Sequence, residues 1–227
     1  MAELSLGAAT MSLSTATPER LPNIETLRRL AKSIAMLDAI ICPEWELRYY
    51  SYNSQWGQGE EMASMRNGCG DDWFLLFDSH GAALKGFAHE YPLAGDASFA
   101  TRIQQSVPSL FESFLREPAF SMEMASFCIW RRHSDSVWSV VSPASGHVSP
   151  DADGSAGLLG ILDGKPDTYQ SWATGYYERE IAAEAVRAIY HHHPLSDRLL
   201  TALNAELALS EVTKDAIEIG YPYEPST

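Results

Sequence analysis

Between Ile24 and Ile41 the apolar residues recur every three or four positions: Ile24, Leu27, Leu30, Ile34, Leu37 and Ile41. That spacing draws one stripe along a helix and leaves Arg28, Arg29 and Lys32 off it. Asn23 is placed to cap the first turn, and Pro43 to stop the last. From Trp45 the period drops to two. Trp45, Leu47 and Tyr49 alternate with Glu46, Arg48 and Tyr50, which predicts a half-buried strand ended by Gly57 and Gly59. Further strands are predicted over 62–65, 72–77 and 82–87, joined by turns at Asn67-Gly68 and at 78–81. The 72–77 strand is apolar on both sides, with Trp73, Leu75 and Phe77 on one face and Phe74 and Leu76 on the other. Both faces of such a strand need a cover.

Residues 91–106 show no period and read as a loop. A short helix is predicted from Val107-Pro108 to Pro118, carrying Leu110, Phe111, Phe114 and Leu115, followed by strands at 125–132 and around 137–141. Residues 142–154 are rich in Ser, Pro, Asp and Gly, as a surface loop or linker should be. Beyond them the pattern is helical over 156–162, 165–177, 180–191, 195–203 and 211–217. The order predicts an α+β fold. An antiparallel meander is packed by the N-terminal helix and by the C-terminal helical segment, which is the expected cover of the second face. Residues 1–22 read as a flexible leader and 23–227 as a single domain.

Charge narrows the function classes. The 227 residues carry 30 acids and 16 bases, net −14 at pH 7. The surplus sits in 41–101, with nine acids and three bases, and in 151–227, with thirteen and five. A nucleic-acid-coating surface and an anionic membrane surface both need the opposite sign. The fitting partner is a basic protein. Cys42, Cys69 and Cys128 form no close pair and read as thiols of a reducing compartment. No basic stretch opens the chain and no apolar run is long enough to span a bilayer, so a cytoplasmic location is expected.

Candidate chemistry is sparse. The run His191-His192-His193 invites a metal, but adjacent helical side chains point about 100° apart, and the run suits a helix C-terminus. Residues 149–154 resemble the start of a calcium loop, yet the twelfth position is Gly160 where a glutamate is needed. The glycine-rich stretch 67–72 lacks any phosphate-binding pattern and reads as a turn. No catalytic set, metal or cofactor is therefore assigned. The binding candidates are the aromatic residues Tyr50, Tyr52 and Trp56 with the nearby acids Glu60, Glu61, Asp71 and Asp72, because aromatic residues rimmed by charge suit protein contacts. The leading expectation is a non-enzymatic, acidic protein-binding module. The alternative is a small-molecule hydrolase using Cys69 or a carboxylate–histidine set.

The stretch from Trp45 to Phe87, the block "EPAFSMEMASFCIWRR" and the tail "YHHHPLSDRLLTALN" resemble a group of bacterial proteins with no assigned activity, which implies no catalytic residue. A second resemblance is to SUKH-type immunity proteins, whose helix of the form P-x-x-[YF]-x-x-F-L matches Pro108, Phe111, Phe114 and Leu115. It implies an immunity-like role. The family's asparagine–glycine–glycine turn is replaced here by Arg116-Glu117-Pro118, and here the sheet precedes the helix.

Overall fold

The computed structural model describes residues 13–142 and 152–224. Six strands, β1 (Tyr50–Gly57), β2 (Glu60–Arg66), β3 (Asp72–Phe77), β4 (Gly81–Phe87), β5 (Phe127–Arg132) and β6 (Ser139–Val140), form one sheet in sequence order. Every neighbouring pair is antiparallel. The helices are α1 (Ile24–Ile41), α2 (Ala97–Ser106), α3 (Glu112–Arg116), α4 (Ser155–Leu159), α5 (Pro166–Tyr176), α6 (Ala183–Tyr190), α7 (Asp197–Leu203) and α8 (Leu209–Ile219). The α+β meander expected from the sequence is the observed architecture.

The pairing register sorts side chains into two faces. One row, Tyr52, Ala63, Leu75, Leu84, Ile129 and Val140, crosses all six strands. It packs into a core with α1 and the helices from α5 onward. The adjacent row, with Met62, Leu76, Ala83 and Trp130, points the other way. It packs against Phe99, Ile103, Phe111, Phe114 and Phe120. The division of β3 into Trp73, Leu75 and Phe77 against Phe74 and Leu76 is as its alternation requires.

The covers differ from expectation. Helix α1 and the C-terminal helices share one face, and the 91–125 connection covers the second. The supposed loop contains α2, capped by Asp96, whose carboxylate accepts from Ser98 and Phe99 backbone N–H groups. Its apolar stripe is only Phe99 and Ile103, with Val107 following, too short to register as a period.

The strand expected from Trp45 begins instead at Tyr50. Residues Trp45–Leu47 form a 3-10 turn. Arg48 imposes it, donating to the carbonyls of Cys42 and Pro43 and pairing with Asp215 on α8. Of the expected leader, residues 13–22 are packed. Leu13 and Leu21 are buried, and Thr15 bonds Asp153 and Ser155. Most of the Ser/Pro/Asp/Gly stretch, and with it residues 149–151 of the loop compared with a calcium site, lies outside the described residues.

Candidate functional site

Asp38 is the only charged residue on the buried side of α1, and it is fully enclosed. Its Oδ2 accepts from the backbone N–H groups of Tyr49 (3.0 Å) and Tyr50 (2.8 Å), and its Oδ1 accepts from the Tyr169 hydroxyl at 2.6 Å. One carboxyl thus ties α1 to the entrance of β1 and to α5. Burial pushes it up to about 6 from the ordinary 3.8, against the opposing pull of Tyr169 and the two amides. Tyr177 directs its hydroxyl toward the same carboxyl without reaching hydrogen-bond geometry.

Outward from Asp38 the site is aromatic. Tyr50 and Tyr169 lie inside, and Trp172 meets their rings at 5.0 and 5.4 Å. Tyr176 stacks on Trp172 at 5.2 Å, with an angle of 14° between the planes. Tyr49 closes edge-on against both, at 4.8 and 5.1 Å. Such tilted and stacked pairs hold each other in fixed orientations. The cluster grades from buried Tyr169 to Tyr176, which is 46% exposed. On the turn leading into Tyr49, Trp45 is 49% and Leu47 65% exposed. Glu44 and Glu46 on that turn, and Glu178 just after α5, are exposed with no ion-pair partner among the described residues. Arg66 reaches this turn, its guanidinium lying over the Trp45 ring at 5.0 Å.

The seven residues singled out from sequence are differently placed. Tyr50 and Tyr52 are buried in the core rather than displayed. Strand alternation would have put neighbouring rings on opposite faces, but both faces of this sheet are covered. Trp56 is half-buried against Phe120. Glu60 packs its carboxylate over Gly57 at the hairpin end. Glu61 bonds Lys32 and the Tyr52 hydroxyl and lies 3.4 Å from Arg28. Burial opposes its ionisation, yet those partners hold it below the usual carboxylate range. Asp72 bonds the buried Lys85 at 2.6 Å. Burial raises Asp72 and lowers Lys85, and each partially restores the other.

Asp71 belongs to a second small cluster. Its Oδ1 accepts from the His89 backbone N–H at 2.9 Å and meets the ring Nδ1 at 2.7 Å, while Asn67 bonds Oδ2. Burial works against these bonds, which nonetheless keep Asp71 low. Cys69 is exposed on the same turn, its N–H donating to Asn67 Oδ1. The histidine run behaves as a helix end. Helix α6 stops at Tyr190, and His192, with φ +58, places its ring nitrogen 2.8 Å from the Arg29 carbonyl. Cys128 is buried, which drives its thiol far up.

Sequence reasoning passed over Asp38, Lys85 and Tyr176. The first two carried a signal: each is the lone charge in an otherwise apolar or small-residue run, AMLDAII and GAALKGF. Tyr176 carried none, since its exposure depends on where α5 docks. Among the described residues no three His, Cys, Asp or Glu side chains are grouped to hold a metal ion, and no helix is long and apolar enough to cross a membrane. Comparison with family models, with curated proteins and with solved structures returns no match.

Proposed function

We propose that this chain is a non-enzymatic protein-binding module that takes a basic partner, as an immunity protein takes its toxin. The observation that carries the reading is the exposure of Trp45 and Leu47 on the turn that also exposes Glu44 and Glu46, and of Tyr176 at the outer end of the aromatic cluster, two residues before exposed Glu178. Large exposed aromatic and aliphatic side chains with a charged border supply both contact area and exclusion of water. Unpaired carboxylates on a chain of net charge −14 accelerate encounter with a positive surface. The Arg66–Trp45 stack illustrates the mode of contact, a guanidinium on a ring face.

A photoreactive phenylalanine derivative placed at Leu47 tests it in the source cell. One predominant crosslinked protein is expected, weakened as salt rises and lost when Trp45→Ala and Tyr176→Ala are combined. The same group at exposed Val137 should not give that product. A product indifferent to the two aromatic residues would sink the proposal.

The hydrolase reading retains one supporting geometry, the Asp71–His89 pair on the turn that exposes Cys69. Alkylation of Cys69 by iodoacetamide across pH discriminates. A catalytic thiol requires a profile that changes in His89→Ala, and superimposable profiles remove the reading.

A further inference from the structure

Away from the aromatic rim, α6 and α7 enclose an open hollow of about 570 Å³, inside the span of about 300–1,000 Å³ typical of small-ligand sites. Its floor is low because the facing residues are small. Ala188 and Ala202 stand where leucines would fill the gap, with Leu199 beside them. The end wall is rigid. The His193 N–H donates to the Ala188 carbonyl, and the His193 carbonyl accepts from the Tyr221 hydroxyl at 2.9 Å. Leu195 and residues 222–224 lock together through two backbone hydrogen bonds of 2.9 Å. A site whose walls are already held loses little conformational freedom on binding.

The border of the hollow carries both signs of charge. Arg198 lines the hollow with no carboxylate in ion-pair reach among the described residues, although acids outnumber bases almost two to one. Glu224 lines it too, without a described cation. The two do not reach each other. The remaining acid, Glu184, is engaged by Arg187. An unpaired cation and an unpaired anion bordering one apolar floor complement a molecule with a negative end, a positive end and an aliphatic middle.

We infer that the α6–α7 groove binds a short peptide with free termini and aliphatic side chains. The peptide carboxylate pairs with Arg198, its ammonium with Glu224, and its side chains lie on Ala188, Leu199 and Ala202. The volume suits two or three residues. This site is independent of the aromatic rim, so either proposal can fail alone.

The test uses the tripeptide Ala-Leu-Ala with free ends and the same peptide N-acetylated and C-amidated, titrated into the full chain and followed by backbone and methyl NMR. Saturable shifts are expected at Ala188, Leu199 and Ala202, with the blocked peptide about tenfold weaker, the size expected for a lost charge contact. Arg198→Glu or Glu224→Arg alone should weaken the free peptide to a similar degree. The double exchange should recover binding with the peptide reversed. Both side chains are exposed, so neither change threatens the fold. Equal binding of the blocked peptide, shifts confined to another face, or no shift at millimolar peptide would each overturn the assignment.

Discussion

At the scale of single residues, Asp38 exerts more influence than any other side chain near the site. Its carboxyl organises the chain's turn from α1 into β1 and anchors α5, yet it does so without a cation. A carboxyl raised from 3.8 to about 6 on folding is held most comfortably when protonated. Its contribution to stability is full below pH 3.8 and is lost as pH rises through about 6. The charge therefore costs about 2–3 kcal/mol between pH 4 and pH 7. Asp38→Asn preserves the shape: the amide oxygen faces the two backbone N–H groups and the amide nitrogen donates to Tyr169. Urea unfolding of both proteins across that range should show the variant gaining on the native protein by this amount as pH rises. Parallel profiles would show that the charge is solvated in some other way. Asp38→Ala, which strands two amides and a hydroxyl, should instead be strongly destabilising at every pH.

At the scale of elements, the β3–β4 pair carries a charge inside a covered sheet. Lys85 stands opposite Phe74 in the register, its ammonium 5.6 Å from that ring and 5.4 Å from Phe87, and bonded to Asp72. A buried pair of this kind is a poor source of stability, because desolvation consumes most of the attraction, but removing one partner exposes the full cost. Lys85→Met should destabilise by about 2–3 kcal/mol, below the usual range for a broken buried pair because Asp72 keeps some access to water. Adding Asp72→Asn should return most of that loss in chemical denaturation. A double variant no better than the single would mean that Lys85 is held for its packing between the rings. The end of α1 shows another economy between elements. Asn204, Arg179 and Arg48 each bond a different carbonyl of its last turn, from Ile40 to Cys42. Pro43 explains why the helix stops, but only the docking of α7 and of the 177–182 turn, together with the return of Arg48 from the following turn, explains how those carbonyls are satisfied.

At the scale of the whole molecule, two cores share one sheet. Leu75 belongs to the larger and Leu76 to the smaller, one residue apart on β3. Strand pairing cannot survive with one face stripped, so the layers should melt together. Leu75→Ala, expected to cost about 2–5 kcal/mol, and Phe114→Ala, about 3–5 kcal/mol, should each lower a single calorimetric transition. A second transition in the Phe114 variant would show that the 91–125 cover unfolds by itself and that the meander with its C-terminal helices stands alone.

Local pattern settled a good deal here. The α1 stripe, the turn residues between strands and the two-sided hydrophobicity of β3 are consequences of a few neighbouring residues, and each is visible in the sequence. So is the acid excess on which the proposal of a basic partner rests. Which helix covers which face was not visible, because every amphipathic stripe offers the same kind of surface and only the geometry of the connections selects among them. The candidate site depended on that choice. Tyr50 and Tyr52 became interior residues once α1 and α5 docked over them, while Trp45, Leu47 and Tyr176 stay in solvent. The acids at 61, 71 and 72 found partners from distant parts of the chain, Lys32, His89 and Lys85. Composition counts charges, but the fold decides which of them remain free to meet another molecule, because an ion pair forms between neighbours in space.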